Sequence, residues 1–259
     1  MPIYQAVILG IVQGLTEILP ISSSGHLIIV PSLLGWEPHS LSFDAALHLG
    51  TAAALLVFFA RDWVSLLVRR QWRVILAIGL ASVPVGLIGL FGKDFIEQNF
   101  RGAGLVAGAL FLVAVLMLAV EKRYRKGNGK RENLAVPDVF AIALAQALAL
   151  VPGVSRSGIT ILAGMGRGIK REAAARFSFV ISLPIVFAAG FWEIFSVYRD
   201  GVLANDWPGF AVGIATSFFV GLLAIRVLFG ILNRFSLVPF AIYRIILGIL
   251  VLGVSIGYL

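Results

Sequence analysis

An all-α, multi-pass membrane fold is the class this sequence predicts, and three features predict it. First, 59% of the 259 residues are apolar and 13% are charged, with mean hydropathy +0.98, whereas soluble domains run near a quarter charged. Second, apolar runs long enough to cross a hydrocarbon core of ~30 Å as helix recur along the whole chain, leaving no separate soluble domain; a closed β-barrel would instead show short alternating segments. Third, the basic residues that give the formal charge of +8 fall in the gaps between these runs. That placement assigns the charge to membrane topology and anionic-lipid contact and argues against a nucleic-acid partner.

Six segments read as full crossings: roughly 43–60, 73–92, 103–121, 174–198, 208–230 and 238–257. Residues 3–34 and 137–166 are also apolar, but each is interrupted, by LPISSSGH and VPGVSRSGIT. Proline removes a backbone donor and clashes with the preceding turn, while Gly and Ser prefer turns and caps. Each stretch is therefore read as a re-entrant hairpin of two short helices that enters and leaves on one face. Broken backbone at membrane depth is tolerable only when buried in protein or lining a wet cavity. The first residues, MPIYQAVILGIVQGL, carry no Lys or Arg before the apolar stretch and no small-residue cleavage site, so they are not read as a signal peptide. The lack of cysteine excludes disulfides, thiolate metal sites and cysteine nucleophiles.

If each hairpin returns to its own side, the regions 61–73, 121–136, 167–176 and 226–244 share one face and hold 17 of the 21 basic residues. Lys93, Arg101 and Arg199 fall on the other face, and Arg156 lies inside the second hairpin. Cytoplasmic loops collect Lys and Arg, so this drawing places both termini outside. The two halves also match. Aligning Gln13 with Gln146 superposes QGLTEILPISSSGH on QALALVPGVSRSGI. Each half, 1–125 and 137–259 with a linker at 126–136, then holds one hairpin and three crossings, and an odd number of crossings inverts the second copy. The whole chain, 1–259, reads as a single integral membrane domain, and inverted repeats with broken helices are a known way to build a site near the midplane.

The alignment differs where chemistry needs it to: Glu17 faces Leu150, Ser23 faces Arg156 and His26 faces Ile159. One hairpin supplies carboxylate, hydroxyl and imidazole, and the other a guanidinium. Ionisable groups at this depth are costly unless paired or used. A bare strut between Glu17 and Arg156 would not need the hydroxyls around Arg156 or the turn glycines. Ser and Gly at a helix start expose backbone N–H groups, to which the helix dipole adds partial positive charge, and Arg presents a planar fork that matches phosphate oxygens. Two such turns facing each other suit a phosphate or diphosphate. A carboxylate beside an anion fits if Glu17 holds a divalent cation or carries a proton.

These residues resemble the undecaprenyl-diphosphate phosphatase family of bacteria, the bacitracin-resistance type. The resemblance covers the whole chain and rests on Gln13, Thr16, Glu17, Pro20, Ser22, Ser23, Gly25 and His26, followed by Pro152, Gly153, Ser155, Arg156, Ser157, Gly158 and Thr160. The family's first acidic position is Gln13 here, which leaves Glu17 as the essential acid. The resemblance implies removal of the terminal phosphate from a C55 isoprenoid diphosphate in the bacterial inner membrane. On that reading Glu17, Ser23, His26 and Arg156 are catalytic: Ser23 attacks phosphorus, His26 takes its proton, and Arg156 steadies the transferring phosphoryl group. Gln13, Thr16, Ser22, Ser24, Gly25, Gln146, Gly153, Ser155, Ser157, Gly158 and Thr160 line the substrate site. Glu17 and Gln13 position Mg²⁺ or Ca²⁺ on the diphosphate. The site opens on the outer face, and the oligomeric state is left open, with a homodimer among the possibilities.

The rival reading is an inverted-repeat transporter or a flippase for a lipid phosphate or small anion. Ser23 and His26 beside Glu17 discriminate, because moving an anion needs no nucleophile and base. Other polar residues are read more plainly. Asp44 and His48, four apart, form an intrahelical contact rather than a metal pair, and Glu193 reaches the interface. Arg226, Arg234 and Arg244 are snorkelling anchors, and His39 is solvated.

Overall fold

The computed structural model describes residues 1–37, 39–100, 102–125, 131–199 and 203–255. Linker residues 126–130, Arg101 and the side chains of Lys93 and Glu193 lie outside the described residues. Ten helices follow in order among those described: α1 (Ile3–Ile18), α2 (Ser23–Leu33), α3 (Leu41–Val68), α4 (Trp72–Phe100), α5 (Ala103–Arg123), α6 (Val136–Leu148), α7 (Arg156–Gly166), α8 (Arg171–Arg199), α9 (Leu203–Arg234) and α10 (Val238–Ser255). Six of them, α3, α4, α5, α8, α9 and α10, contain segments long and apolar enough to cross a membrane. They coincide with the six predicted crossings. The chain is an all-helical, multi-pass membrane protein.

The two interrupted stretches break where the sequence places Pro, Gly and Ser. α1 ends at Ile18 and α2 starts at Ser23; α6 ends at Leu148 and α7 starts at Arg156. Both second helices begin in the same way. Ser22 and Ser155 adopt φ values of +78° and +68°, a left-handed conformation that non-glycine residues seldom adopt. Their hydroxyls accept hydrogen bonds from Gly25 N (3.4 Å) and Gly158 N (3.2 Å), three residues on. The start of α6 is set differently. Pro137 stands in the first turn, where its missing N–H costs nothing, and Asp138 accepts from Ala135 N at 3.0 Å.

Helix partnerships recur across the two halves. α1 packs on α9 and α6 on α4; α2 meets α10 and α7 meets α5; α3 packs on α8 and α5 on α10. α1 and α9 approach so closely that a Cβ added to Gly14 would lie 2.7 Å from Val220 Cβ. The principal core runs between the halves, through Ile18, Leu55, Phe59, Val113, Ile142, Phe179 and Ile225.

Four basic segments meet at one end of the bundle. Arg176 pairs with Asp62 through Nε at 2.6 Å. Arg171 pairs with buried Glu121 at 2.5 Å and donates to Phe235 O at 2.9 Å. Arg131 and Arg167 both hold Asp138 at 3.0 Å, and Lys170 pairs with Glu132. The amino-terminal ammonium lies elsewhere, 3.0 Å from Asp206. Arg226 and Arg234 are exposed. Two expectations fail. His39 is not solvated: its Nε2 lies 2.5 Å from Asp44 Oδ1, its ring stands edge-on to Phe43, and only 10% of its side chain is exposed. Arg244 is not an anchor either. It is the largest fully buried side chain among the described residues, because α10 packs on α5 and α2 and its guanidinium turns inward onto the Gly153 and Val154 carbonyls.

Candidate active site

The two turns, taken with the first residues of the helices they open, 19–25 and 149–158, lie against each other. Gly153 N donates to Ser24 Oγ at 3.1 Å, and Ser157 Oγ donates to Leu19 O at 3.3 Å, so each turn supplies a hydroxyl to the backbone of the other. α2 and α7 both start here, which brings two helix N-termini and their partial positive charge to one place. Within each turn the alternate serines touch: Ser22 and Ser24 at 3.2 Å, Ser155 and Ser157 at 3.3 Å.

Glu17, in the last turn of α1, is the hub. Its Oε1 accepts from Arg156 Nη2 at 2.9 Å across the two halves. Its Oε2 accepts from Ser23 Oγ at 2.7 Å and from Gln13 Nε2 at 3.3 Å, with His48 Nε2 at 3.4 Å. Only 8% of the Glu17 side chain and 10% of the Arg156 side chain are exposed. A carboxylate so far from water is tolerable because donors face both of its oxygens.

Arg156 divides its fork three ways. Nη2 holds Glu17, Nη1 donates to Ser182 Oγ, and Nε is buried without a partner. The guanidinium lies 5.9 Å from the centre of the Phe179 ring. Thr160 Oγ1 donates to Arg156 O at 2.6 Å and meets the Ser178 hydroxyl, which fixes the first turn of α7.

The sequence-predicted residues thus separate into groups. Gln13, Glu17, Ser23 and Arg156 are joined directly, and Ser22, Ser24, Gly25, Gly153, Ser155, Ser157 and Gly158 build the turns around them. Thr16 bonds back to Val12 O at 2.7 Å within α1, and Thr160 works through α8. Gln146, the counterpart of Gln13, is buried with both amide atoms unpartnered. His26 stands apart from the expected pairing with Ser23. Its Nδ1 lies 2.7 Å from Ser22 O and its Nε2 2.7 Å from Tyr243 Oη, with the two rings stacked 5.6 Å apart. A carbonyl only accepts, so Nδ1 carries the proton and Nε2 accepts from the tyrosine in the neutral ring.

Sequence reasoning missed His48, Ser182, Phe179, Tyr243 and Arg244. For His48 and Arg244 a signal was present, since an ionisable residue inside an apolar span is a functional hypothesis by default. His48 does contact its own helix, through Nδ1 and Asp44 O at 2.8 Å, but its other nitrogen faces Glu17. The serines, Phe179 and Tyr243 carry no such mark.

Among the described residues no three His, Asp or Glu side chains gather as a metal cluster, and the two oxygen sources for a divalent cation are Gln13 and Glu17, the latter with both oxygens already accepting hydrogen bonds. Gln13 Oε1 is buried and unpartnered, and Glu17 supplies a carboxylate, a hard oxygen pair of the kind Mg²⁺ and Ca²⁺ take. Chemically, the cluster offers a hydroxyl, a carboxylate at hydrogen-bond distance from it, and a guanidinium with an unused N–H.

A family model described as bacitracin resistance protein BacA matches residues 6–250. The undecaprenyl-diphosphatase 2 of Stutzerimonas stutzeri is 40% identical, covering 99% of this chain and all of the relative. The undecaprenyl-diphosphatase of Desulforudis audaxviator is 42% identical over 98% of both chains. That of Geobacter sulfurreducens is 41% identical over all of this chain and 99% of its own. With both polar turns inside the matched span and relatives aligned from end to end, this chain belongs to the BacA bacitracin resistance family.

Proposed function

We propose that this protein hydrolyses undecaprenyl diphosphate to undecaprenyl phosphate and inorganic phosphate, recycling a lipid carrier for cell-wall synthesis. The observation that carries the reading is the Ser23–Glu17–Arg156 chain: a hydroxyl 2.7 Å from a carboxylate that is itself held at 2.9 Å by a guanidinium from the other half. A nucleophile, its base and a phosphate ligand then lie within one shell, as phosphoryl transfer requires. The names of the relatives supply the substrate class. A C55 tail can stay in lipid while its diphosphate enters the polar turns.

In the mechanism we infer, Ser23 Oγ attacks the terminal phosphorus as Glu17 Oε2 takes its proton. The bond to the bridging oxygen breaks, and undecaprenyl phosphate leaves. Water, deprotonated by the same carboxylate after it has lost its first proton to the leaving oxygen, then attacks the phosphoserine; the Ser23 Oγ–P bond breaks, phosphate leaves and the carboxylate returns the proton to Ser23 Oγ. The free Nε–H of Arg156 and the backbone N–H groups at the starts of α2 and α7 receive the phosphoryl oxygens. Glu17, rather than His26, is the base, because both nitrogens of His26 are engaged elsewhere. A divalent cation held by Glu17 and Gln13 would supply charge neutralisation on the diphosphate.

Arg244 is buried, so 16 basic residues remain in the regions assigned to one face; the positive-inside tendency makes that face cytoplasmic. The turns then belong to re-entrant hairpins of an inverted repeat in the bacterial inner membrane, and the Glu17 hairpin enters from outside. The test is phosphate release from the lipid diphosphate by purified protein in detergent, with one compartment only. Turnover by the parent, its loss of at least a thousandfold in Ser23→Ala, and a phosphorylated peptide containing Ser23 after acid quench support the reading. Anion exchange in vesicles without phosphate release would make the protein a transporter. Near-normal turnover by Ser23→Ala would give the attack to water.

A further inference from the structure

Arg244 is fully buried, yet among the described residues it has no carboxylate partner; its hydrogen bonds go to backbone carbonyls. Nη2 donates to Gly153 O at 2.7 Å, Val154 O at 3.2 Å and Ala109 O at 3.5 Å, while Nη1 reaches Pro20 O and Nε reaches Leu110 O, each at 3.4 Å. A buried cation without an anion is unfavourable, and an apolar side chain of similar volume would fill the space at less cost. Its position explains why a cation is there. Pro20 stands two residues before Ser22, and Gly153 two residues before Ser155; these are equivalent places in the two turns. Ser22 and Ser155 are the two left-handed caps that open α2 and α7. Non-glycine residues persist in that conformation only where the surroundings over-determine it. The two terminal nitrogens of one guanidinium reach the carbonyl two residues before each cap, Gly153 O closely at 2.7 Å and Pro20 O at 3.4 Å.

We propose that Arg244 is a positioning residue: by gripping equivalent carbonyls of both turns it fixes Ser23 and Glu17 of one in register with Arg156 of the other. The inference rests on the lipid-diphosphatase reading for its activity readout, but the grip itself is a geometric statement. A planar fork is needed, because an ammonium offers no two rigidly spaced donor arms. The positive charge also lies behind the turns, where it favours an anion bound in front of them.

Two variants test it, Arg244→Lys and Arg244→Met, each purified in detergent and assayed for phosphate release and for amide hydrogen exchange. The expected result for Arg244→Met is a kcat lowered about a hundredfold with KM within threefold, and faster exchange confined to residues 19–25 and 151–158. Arg244→Lys should recover part of kcat, about tenfold over Met. Turnover by Arg244→Met within threefold of the parent overturns the proposal. So does exchange that rises evenly across α1 to α10 while activity per folded molecule is unchanged. If Arg244→Met does not fold, Arg244→Lys alone decides: parental kcat and parental exchange in both turns would sink the grip. Should the parent itself release no phosphate, the functional reading has failed, and exchange in the two turns still decides whether Arg244 clamps them.

Discussion

Replacing Arg156 by lysine separates recognition of phosphate from the pairing that supports the fold. The guanidinium carries three assignments at once: Nη2 on Glu17 at 2.9 Å, Nη1 on Ser182, and a buried, unpartnered Nε–H that we assign to the phosphoryl group. Lysine keeps the positive charge beside Glu17, so the carboxylate is not stranded. It loses the second fixed arm and the free Nε–H. The one N–H assigned to the transferring phosphoryl oxygen, a hydrogen bond to a charged group, is worth up to about 3 kcal/mol of transition-state stabilisation, which is a loss of roughly a hundredfold in kcat. Alanine strips Glu17 Oε1 of its donor and breaks a buried pair, with Ser23, Gln13 and His48 left on Oε2, at a cost of about 3–5 kcal/mol, and its melting temperature should fall with its activity. The assay is phosphate release with kcat and KM resolved, run beside thermal unfolding in the same detergent. Arg156→Lys with a near-parental melting temperature and a hundredfold lower kcat is the predicted result. A folded Arg156→Lys within threefold of parental kcat would refute the assignment of the fork to phosphate.

Three further outcomes follow from the geometry. Gly153→Ala puts a Cβ 2.5 Å from Val106 O at a backbone φ of +93°, so strain and overpacking should cost about 2–4 kcal/mol and lower the melting temperature; Gly104→Ala, which meets nothing within 4 Å, serves as the control and should be neutral. Tyr243→Phe removes the hydroxyl at His26 Nε2 but keeps the ring; it should cost about 1 kcal/mol of stability and leave kcat within fivefold, whereas a hundredfold fall would return His26 to the chemistry. Burial alone would push Asp138 up, but hydrogen bonds from Arg131, Ala135 N and Arg167 outweigh it and hold the carboxyl below its usual value. A depressed native pKa gives stability that is present above the unfolded value near 3.8 and is lost as pH falls through the native one. The stability gap between parent and Asp138→Asn, measured by unfolding in detergent, should therefore be constant at neutral pH and close below about pH 4; a gap unchanged at pH 2 contradicts this.

The crossings were legible because hydropathy is a local property: 103–121 is observed as Ala103–Arg123, and 73–92 as the apolar part of α4. The breaks were legible for a related reason, since Pro20, Pro152 and the Ser and Gly beside them disfavour continuous helix wherever they stand. The pairing of Glu17 with Arg156 was accessible through charge economy, as two isolated ionisable groups in apolar hairpins have few other partners. What the sequence hid is orientation. Ser23 and His26 are three residues apart on α2, but their side chains go to Glu17 and to Tyr243, and Tyr243 is 217 residues distant from His26. Arg244 resembles an anchor by its place near a basic face. Only the packing of α10 against α5 and α2 shows it to be interior.

The central claim, that both turns act on one diphosphate, is tested most directly by a structure of the Ser23→Ala protein with bound undecaprenyl diphosphate. The terminal phosphorus should lie about 3–3.5 Å from the position of Ser23 Oγ, at the near-attack separation, with Arg156 donating to its oxygens. A diphosphate held by only one turn, or bound with Arg156 still wholly engaged by Glu17 and Ser182, would contradict the account.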